Sequence, residues 1–148
     1  MAVETVFQGT SALTLDAKGR ITVPVRQRDL LMQACEGRLT LTKHPEGYLW
    51  VMPRPRWEAT REHLMQMSLD ADPWRRVLIG SAADVEIDAA ARILIPPELR
   101  GAAQLRKDVL LIGIGRLLEL WDAERHAEVE GRLLAQPMPA EIRSFVLR

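Results

Sequence analysis

Leu15-Asp16-Ala17-Lys18-Gly19-Arg20-Ile21-Thr22-Val23-Pro24 is matched, seventy-two positions later, by Ile87-Asp88-Ala89-Ala90-Ala91-Arg92-Ile93-Leu94-Ile95-Pro96. Asp, Arg, Ile and Pro recur in register, as does the apolar residue ahead of each Asp. A second arginine follows each proline by four positions, Arg28 and Arg100. Upstream, Gly9 precedes Asp16 by seven residues and Gly80 precedes Asp88 by eight. Chance supplies one or two such matches and is a poor source of all of them together. The chain therefore reads as two copies of one unit.

The same local plan is legible in both copies. Ser11 to Leu15 alternates apolar and polar residues, as a half-buried strand does. Asp16 to Gly19 has turn chemistry, with Gly19 able to take a positive φ. Arg20 to Val23 alternates again and is β-branched, so it reads as the return strand of a hairpin. Pro24 can open a helix, with Val25, Leu30, Leu31 and Ala34 as its apolar positions and Glu36-Gly37 as its stop. Leu39 to Thr42 and Tyr48 to Met52 are two further strands, and a helix from about Arg56 to Met67 follows. Asp70 to Pro73 reads as a break, and Trp74 to Gly80 as the lead into copy two. There, Val85 to Ile87 and Arg92 to Ile95 are expected to form the hairpin and Pro96 to Leu105 the helix. Val109 to Ile112 and Leu117 to Trp121 are expected as the second strand pair. Asp122 is placed as the N-cap of a helix over Ala123 to Leu134. Gln136 to Pro139 breaks that helix, and Ala140 to Arg148 is a short helix or a tail. The expected domains are thus 6–70, 77–135 and a tail at 136–148.

Charge bears on the partner. Twenty Lys/Arg and twenty Asp/Glu give a formal net charge of zero, whereas a free-standing DNA-binding domain is usually basic. The distribution is uneven, however. Residues 1–76 carry 11 basic and 9 acidic side chains, and residues 77–148 carry 9 and 11. Between Asp16 and Arg28, four cations (Lys18, Arg20, Arg26 and Arg28) stand against Asp16 alone. A single cysteine, Cys35, excludes an intrachain disulfide framework and reads as a small apolar filler. Met1 to Phe7 lacks the basic head and apolar stretch of a signal peptide, and no run of 18 apolar residues occurs. The expectation is a cytoplasmic protein without a membrane partner.

An arginine projecting from a hairpin can enter the major groove, where its planar fork bonds guanine O6 and N7 together. Such a pair is worth roughly 1–3 kcal/mol of discrimination. A neighbouring carboxylate would hold that fork in one orientation. On this chemistry Asp16 with Arg20, and Asp88 with Arg92, are candidate base readers, and Lys18 and Arg26 are candidate phosphate contacts. The plainer alternative is that each Asp/Arg pair is a hairpin ion pair with no role beyond its turn.

Phe7-Gln8-Gly9, the Leu15-to-Arg20 segment, Pro24, the second Asp-x-x-x-Arg at Asp88 and Arg92, and Leu120-Trp121-Asp122 together resemble the MraZ family. The resemblance spans roughly residues 6 to 135. A single Asp-x-x-x-Arg would point only to the wider superfamily of AbrB-like swapped-hairpin transcription factors, which includes antitoxins. The resemblance implies an α+β fold. Two tandem copies of a small swapped-hairpin β module would form a pseudo-two-fold unit with flanking helices, and chains would assemble into rings. It also implies a nucleoid-associated transcriptional regulator, usually a repressor. Such proteins bind tandem repeats in double-stranded promoter DNA upstream of the cell-division and cell-wall operon. The residues expected to serve DNA are Asp16, Lys18, Arg20, Arg26, Arg28, Asp88 and Arg92. Copy two departs from the pattern, with Ala90 and Ala91 where copy one has Lys18 and Gly19, so its turn is expected to contribute less.

Other features carry less. His44, His63 and His126 are scattered without metal-ligand spacing. Gly113 and Gly115 read as a strand-linking turn, and the four tryptophans as core or subunit contacts. Trp57, Leu64 and Met67 share a helical face and are expected either to contact a neighbouring subunit or to cover their own sheet. No catalytic constellation, cofactor or metal is expected. A competing reading remains open, in which the repeated module serves assembly alone without specific DNA binding.

Overall fold

The computed structural model describes residues 5–146; the readings made at 1–4 and at 147–148 lie outside them. Copy one contributes β1 (Phe7–Thr14), β2 (Arg20–Thr22), α1 (Val25–Cys35), β3 (Arg38–Lys43), β4 (Leu49–Pro53) and α2 (Arg54–Met65). A 3-10 turn at Leu69–Ala71 and α3 (Asp72–Leu78) lead into copy two. Copy two contributes β5 (Ala83–Glu86), β6 (Arg92–Leu94), α4 (Pro97–Ala102), β7 (Asp108–Gly115), β8 (Leu118–Asp122) and α5 (Ala123–Leu134). α6 (Ala140–Val146) ends the described chain.

The strands do not pair as two separate hairpins. β1 and β2 are joined by the expected tight turn, yet β1 runs antiparallel along β7, with Phe7 opposite Gly115 and Thr14 opposite Asp108. β5 likewise leaves β6 and pairs with β3, from Arg38 opposite Glu86 to Leu41 opposite Ala83. β2 and β6, the two expected return strands, pair with each other as a separate ribbon. The hairpin reading is therefore corrected, because alternation shows that a segment is a strand but not which strand it meets.

The large sheet has the order β1-β7-β8-β4-β3-β5. Exchanging the copies (β1 with β5, β3 with β7, β4 with β8) reverses this order and leaves it unchanged. The pseudo-two-fold axis passes where β4 meets β8, with Leu49 opposite Leu120 and Val51 opposite Leu118. The ribbon obeys the same symmetry, centred on Ile21 opposite Ile93. The core is shared accordingly. Leu39, Leu41, Leu49 and Val51 of copy one and Val109, Leu111, Leu118 and Leu120 of copy two are essentially buried. They pack in one cluster with Ile21, Ile93, Leu31 and Leu99.

Helix boundaries follow local chemistry. Glu36 takes a left-handed φ of 56° at the end of α1, and Gly37 N donates to Leu31 O, closing the helix where the sequence stops it. The buried stripe of α1 is Gln27, Leu31 and Cys35, and the expected apolar position Val25 faces solvent. Asp72 and Pro73 do not break the chain but open α3, since proline fits the first helical turn. Arg75 of α3 caps α2 by donating to Leu64 O, Met67 O and Ser68 O at 3.0, 2.9 and 2.8 Å. Asp122 is the expected N-cap of α5, its side chain accepting from Arg125 N at 3.2 Å. Gly80 follows α3, whereas Gly9 lies inside β1, so the upstream glycines are not equivalent.

The face expected to meet a neighbouring subunit is largely internal. Trp57 and Leu64 are buried in this chain, whereas Met67, beyond the end of α2, is exposed. Trp121 is buried, Trp50 half-buried and Trp74 exposed. Two of the histidines are also not scattered in space. His44 stacks on Tyr48, Tyr48 on Trp121, and His126 meets Trp121 edge-on, with centroid separations of 4.3, 4.4 and 5.2 Å. Burial lowers the pKa of His44 and raises that of Tyr48.

Candidate nucleic-acid interface

The two Asp-x-x-x-Arg segments fold into the same turn. Asp16 Oδ1 accepts from Lys18 N and Arg20 N, both at 2.9 Å. Gly19 N donates to Asp16 O at 3.0 Å, and Asp16 N to Arg20 O at 2.9 Å. In copy two, Asp88 Oδ1 accepts from Ala90 N and Arg92 N at 2.9 Å. Ala91 N then donates to Asp88 O at 3.0 Å, and Asp88 N to Arg92 O at 2.9 Å. The aspartate is required because one carboxylate oxygen satisfies two turn amides while the other remains free.

That second oxygen takes the arginine. Arg20 Nε donates to Asp16 Oδ2 at 2.8 Å, and Arg92 Nε to Asp88 Oδ2 at 3.2 Å. Both carboxyls are held below their ordinary range, first by the backbone amide of the paired arginine. Only Nε is engaged in each case. Among the described residues the Nη atoms of Arg20 and Arg92 hydrogen-bond to no protein acceptor, and both side chains are partly exposed. The fork ends are therefore available to a ligand.

The ribbon sets the two arginines on one face. Arg20 lies opposite Leu94 and Thr22 opposite Arg92. Because strand side chains alternate, these four share the outer face, while Ile21 and Ile93 turn into the core at 1% exposure each. Diagonal neighbours of this kind are roughly 7–8 Å apart. A two-stranded ribbon is also an element that the major groove of B-form DNA admits.

Lys18 and Arg26 are exposed, one in the first turn and one at the start of α1. Arg28 is half-buried, with its Nε 3.9 Å from Asp29, so it is less free than the sequence suggests. Arg100, its counterpart, is marked in the sequence only by its repeat position. It sits against the first turn: a Cβ on Gly19 would fall 2.6 Å from Arg100 Cζ. The repeat of Pro-x-x-x-Arg was the signal available, but the cross-copy contact is not local in sequence.

The copies also fasten each other's turns. Ile95 N donates to Gly19 O at 2.8 Å, and Val23 N to Ala91 O at 2.7 Å. Arg54 Nη2 donates to Leu39 O and Val85 O, both at 3.0 Å, tying β3 to the exchanged β5. Fold and site together define a tandem, strand-exchanged α+β protein that presents a pair of aspartate-held arginines on a two-stranded ribbon.

The family model described as "MraZ protein, putative antitoxin-like" matches residues 6–80 and again residues 78–142. A Leptothrix cholodnii protein named "Transcriptional regulator MraZ" is 57% identical over 139 residues, covering 94% of this chain and 95% of the relative. Proteins of the same name from Cupriavidus pinatubonensis and Ralstonia pickettii are 52% and 51% identical over 140 residues, each covering 95% of this chain and 99% of the relative. The chain belongs to the MraZ family. Among the described residues, no helix is long and apolar enough to cross a membrane.

Proposed function

We propose that the chain is a sequence-specific transcriptional regulator that binds double-stranded DNA through the outer face of the β2–β6 ribbon. The carrying observation is that Arg20 and Arg92 are each held at Nε by an aspartate while their fork ends bond to no protein group. This is the preorganised donor geometry that reading a guanine edge requires. Asp16 and Asp88 orient the readers. Lys18 and Arg26 meet phosphates, and Arg28 assists from its half-buried position. Modules 6–70 and 77–135 act as one reading head. The names of the relatives support regulation of transcription. In line with the family resemblance, the regulator is a cytoplasmic, nucleoid-associated repressor that acts as a ring on tandem repeats upstream of the cell-division and cell-wall operon.

A second reading, assembly without specific DNA binding, is favoured by the zero net charge. Selection from random double-stranded DNA with the purified protein separates the two. Enrichment of a short repeated site that Arg20→Ala no longer retains supports the regulator; no enrichment at low salt leaves the assembly reading.

A further inference from the structure

Gly19 is buried, with φ at +82°, and the space a side chain would fill there is taken by a residue of the other copy. A Cβ at this position would lie 2.6, 2.7 and 2.8 Å from Cζ, Nε and Nη1 of Arg100. Arg100 Nε is buried without a hydrogen-bond partner, and among the described residues no ion pair reaches this guanidinium. Arg54 and Arg125 also bury an Nε without a partner, but each donates through Nη2 to a backbone carbonyl, whereas the place of Arg100 is set by the space left at Gly19. Copy two differs at the matching position. Ala91 occupies the Gly19 position with φ at 64°, so a methyl group stands there where turn one has none. Arg28, the counterpart of Arg100, approaches Asp29 instead.

We propose that Arg100 is a positioning residue for DNA reading. It wedges under the Asp16–Arg20 turn from the opposite copy, and the absence of a side chain at Gly19 is what admits it. The wedge, together with the Ile95 N to Gly19 O bond, fixes the turn that aims Arg20. Its unpaired charge also lies beneath the most basic stretch of the chain, where phosphates would approach. The two turns are thus built alike in hydrogen bonds and unlike in support, and turn one is the stronger reader for that reason. This rests on the regulator reading above.

The test compares the full-length wild type with Arg100→Ala, Arg100→Lys and Gly19→Ala. Amide hydrogen exchange at Lys18, Gly19 and Arg20 is read without DNA. Affinity is read for the selected site and for random duplex. Arg100→Ala is expected to speed exchange in turn one. Its specific affinity should fall about tenfold or more, the scale of one lost base contact, with a smaller loss on random duplex. Arg100→Lys, which keeps the charge but not the planar wedge, should recover random-duplex binding without recovering the specificity ratio. Should Arg100→Ala fail to fold, Gly19→Ala evicts the guanidinium while leaving α4 unaltered, and Ala91 shows that alanine is accepted at such a φ; the same losses are then expected. Unchanged exchange with an unchanged specificity ratio overturns the proposal, as does full recovery by lysine. A wild type that selects no DNA overturns the regulator reading, while the exchange measurement still judges the wedge.

Discussion

At the scale of single residues, the proposed function rests on an arginine held at one nitrogen. Removing the Arg20 side chain deletes the fork but leaves the two turn amides on Asp16 in place, so Arg20→Ala is expected to abolish preference for the selected site while melting within a few degrees of wild type. Titration of both proteins against selected and random duplex, beside a thermal melt, checks this; unchanged preference would remove Arg20 from the reading role. Arg92→Ala is expected to cost less. Its ion pair is longer, 3.2 against 2.8 Å, and its turn lacks the lysine and the glycine of copy one. The alanine in that turn has a further consequence. A left-handed φ costs a non-glycine residue about 1–2 kcal/mol, and glycine returns about 0.4–1 kcal/mol through the freedom of the unfolded chain. Ala91→Gly should therefore stabilise the protein by up to about 1 kcal/mol, read as a shifted urea midpoint with an unchanged slope. The aspartates add a pH dependence. Their folded pKa lies below the ordinary aspartate value, so the stability they contribute is fully present above that value and is lost as pH falls through the lower folded one. Asp16→Asn should consequently flatten the acid limb of a stability–pH curve and leave its neutral plateau with the same slope.

At the scale of elements, the decisive fact is strand exchange. All eight residues of β1 are laddered to β7 of the other copy, and β5 completes the sheet beside β3. Neither half then has its own complement of partners: copy one alone would leave β1 and β2 unpaired and Ile21, Leu39 and Leu41 without the neighbours that copy two supplies. The halves 1–76 and 77–148, expressed separately, are expected to lack a cooperative transition as monomers. Mixed together, they should recover one, with near-native circular dichroism. Independent cooperative folding of either half as a monomer would contradict this. Strand exchange, which the family resemblance implies, also marks where the local sequence pattern stops being legible. The strands, the turns, the N-cap at Asp122 and the helix over Ala123 to Leu134 depend on neighbours within a few residues, and they were readable. The partner of each strand depends on contacts far away along the chain. The alternation of Arg20 to Val23 suits any antiparallel neighbour, so it suggested β1 where the fold uses β6. The face carrying Trp57 and Leu64 was recognised as apolar, but nothing local told whether it meets another chain or its own sheet. Arg100 stood in plain view as a repeat position, and its role became visible only once Gly19 was placed against it.

At the scale of the whole molecule, the neutral charge and the small ribbon pose a problem of affinity that the proposed assembly would resolve. A few phosphate contacts give weak binding at physiological salt, and a chain with no net charge gains little from long-range attraction. Several reading heads joined in one particle would bind tandem repeats together, each at an effective concentration of roughly millimolar, and raise apparent affinity about 10²–10⁴-fold without new contacts. With Trp57 and Leu64 buried, the surface left for joining chains lies elsewhere. Met65, Met67, Leu69 and Trp74 are exposed around the corner between α2 and α3, and Leu133, Leu134, Met138 and Ile142 are exposed toward the C-terminal end. Exposed apolar groups on two different stretches of the chain would suit a head-to-tail contact, and such a contact closes into a ring when its rotation permits. The expected result is a homo-oligomer in light scattering that binds DNA carrying three or four repeats far more tightly than DNA carrying one. Trp74→Lys, at a site 53% exposed, should preserve the fold by circular dichroism. It should also shift the particle toward smaller species and bring array affinity down toward the single-repeat value. If the wild type scatters as a monomer and binds one repeat as tightly as an array, reading by a single head suffices and assembly has no part in it. A ring that survives Trp74→Lys intact would place the contact at some face other than the α2–α3 corner.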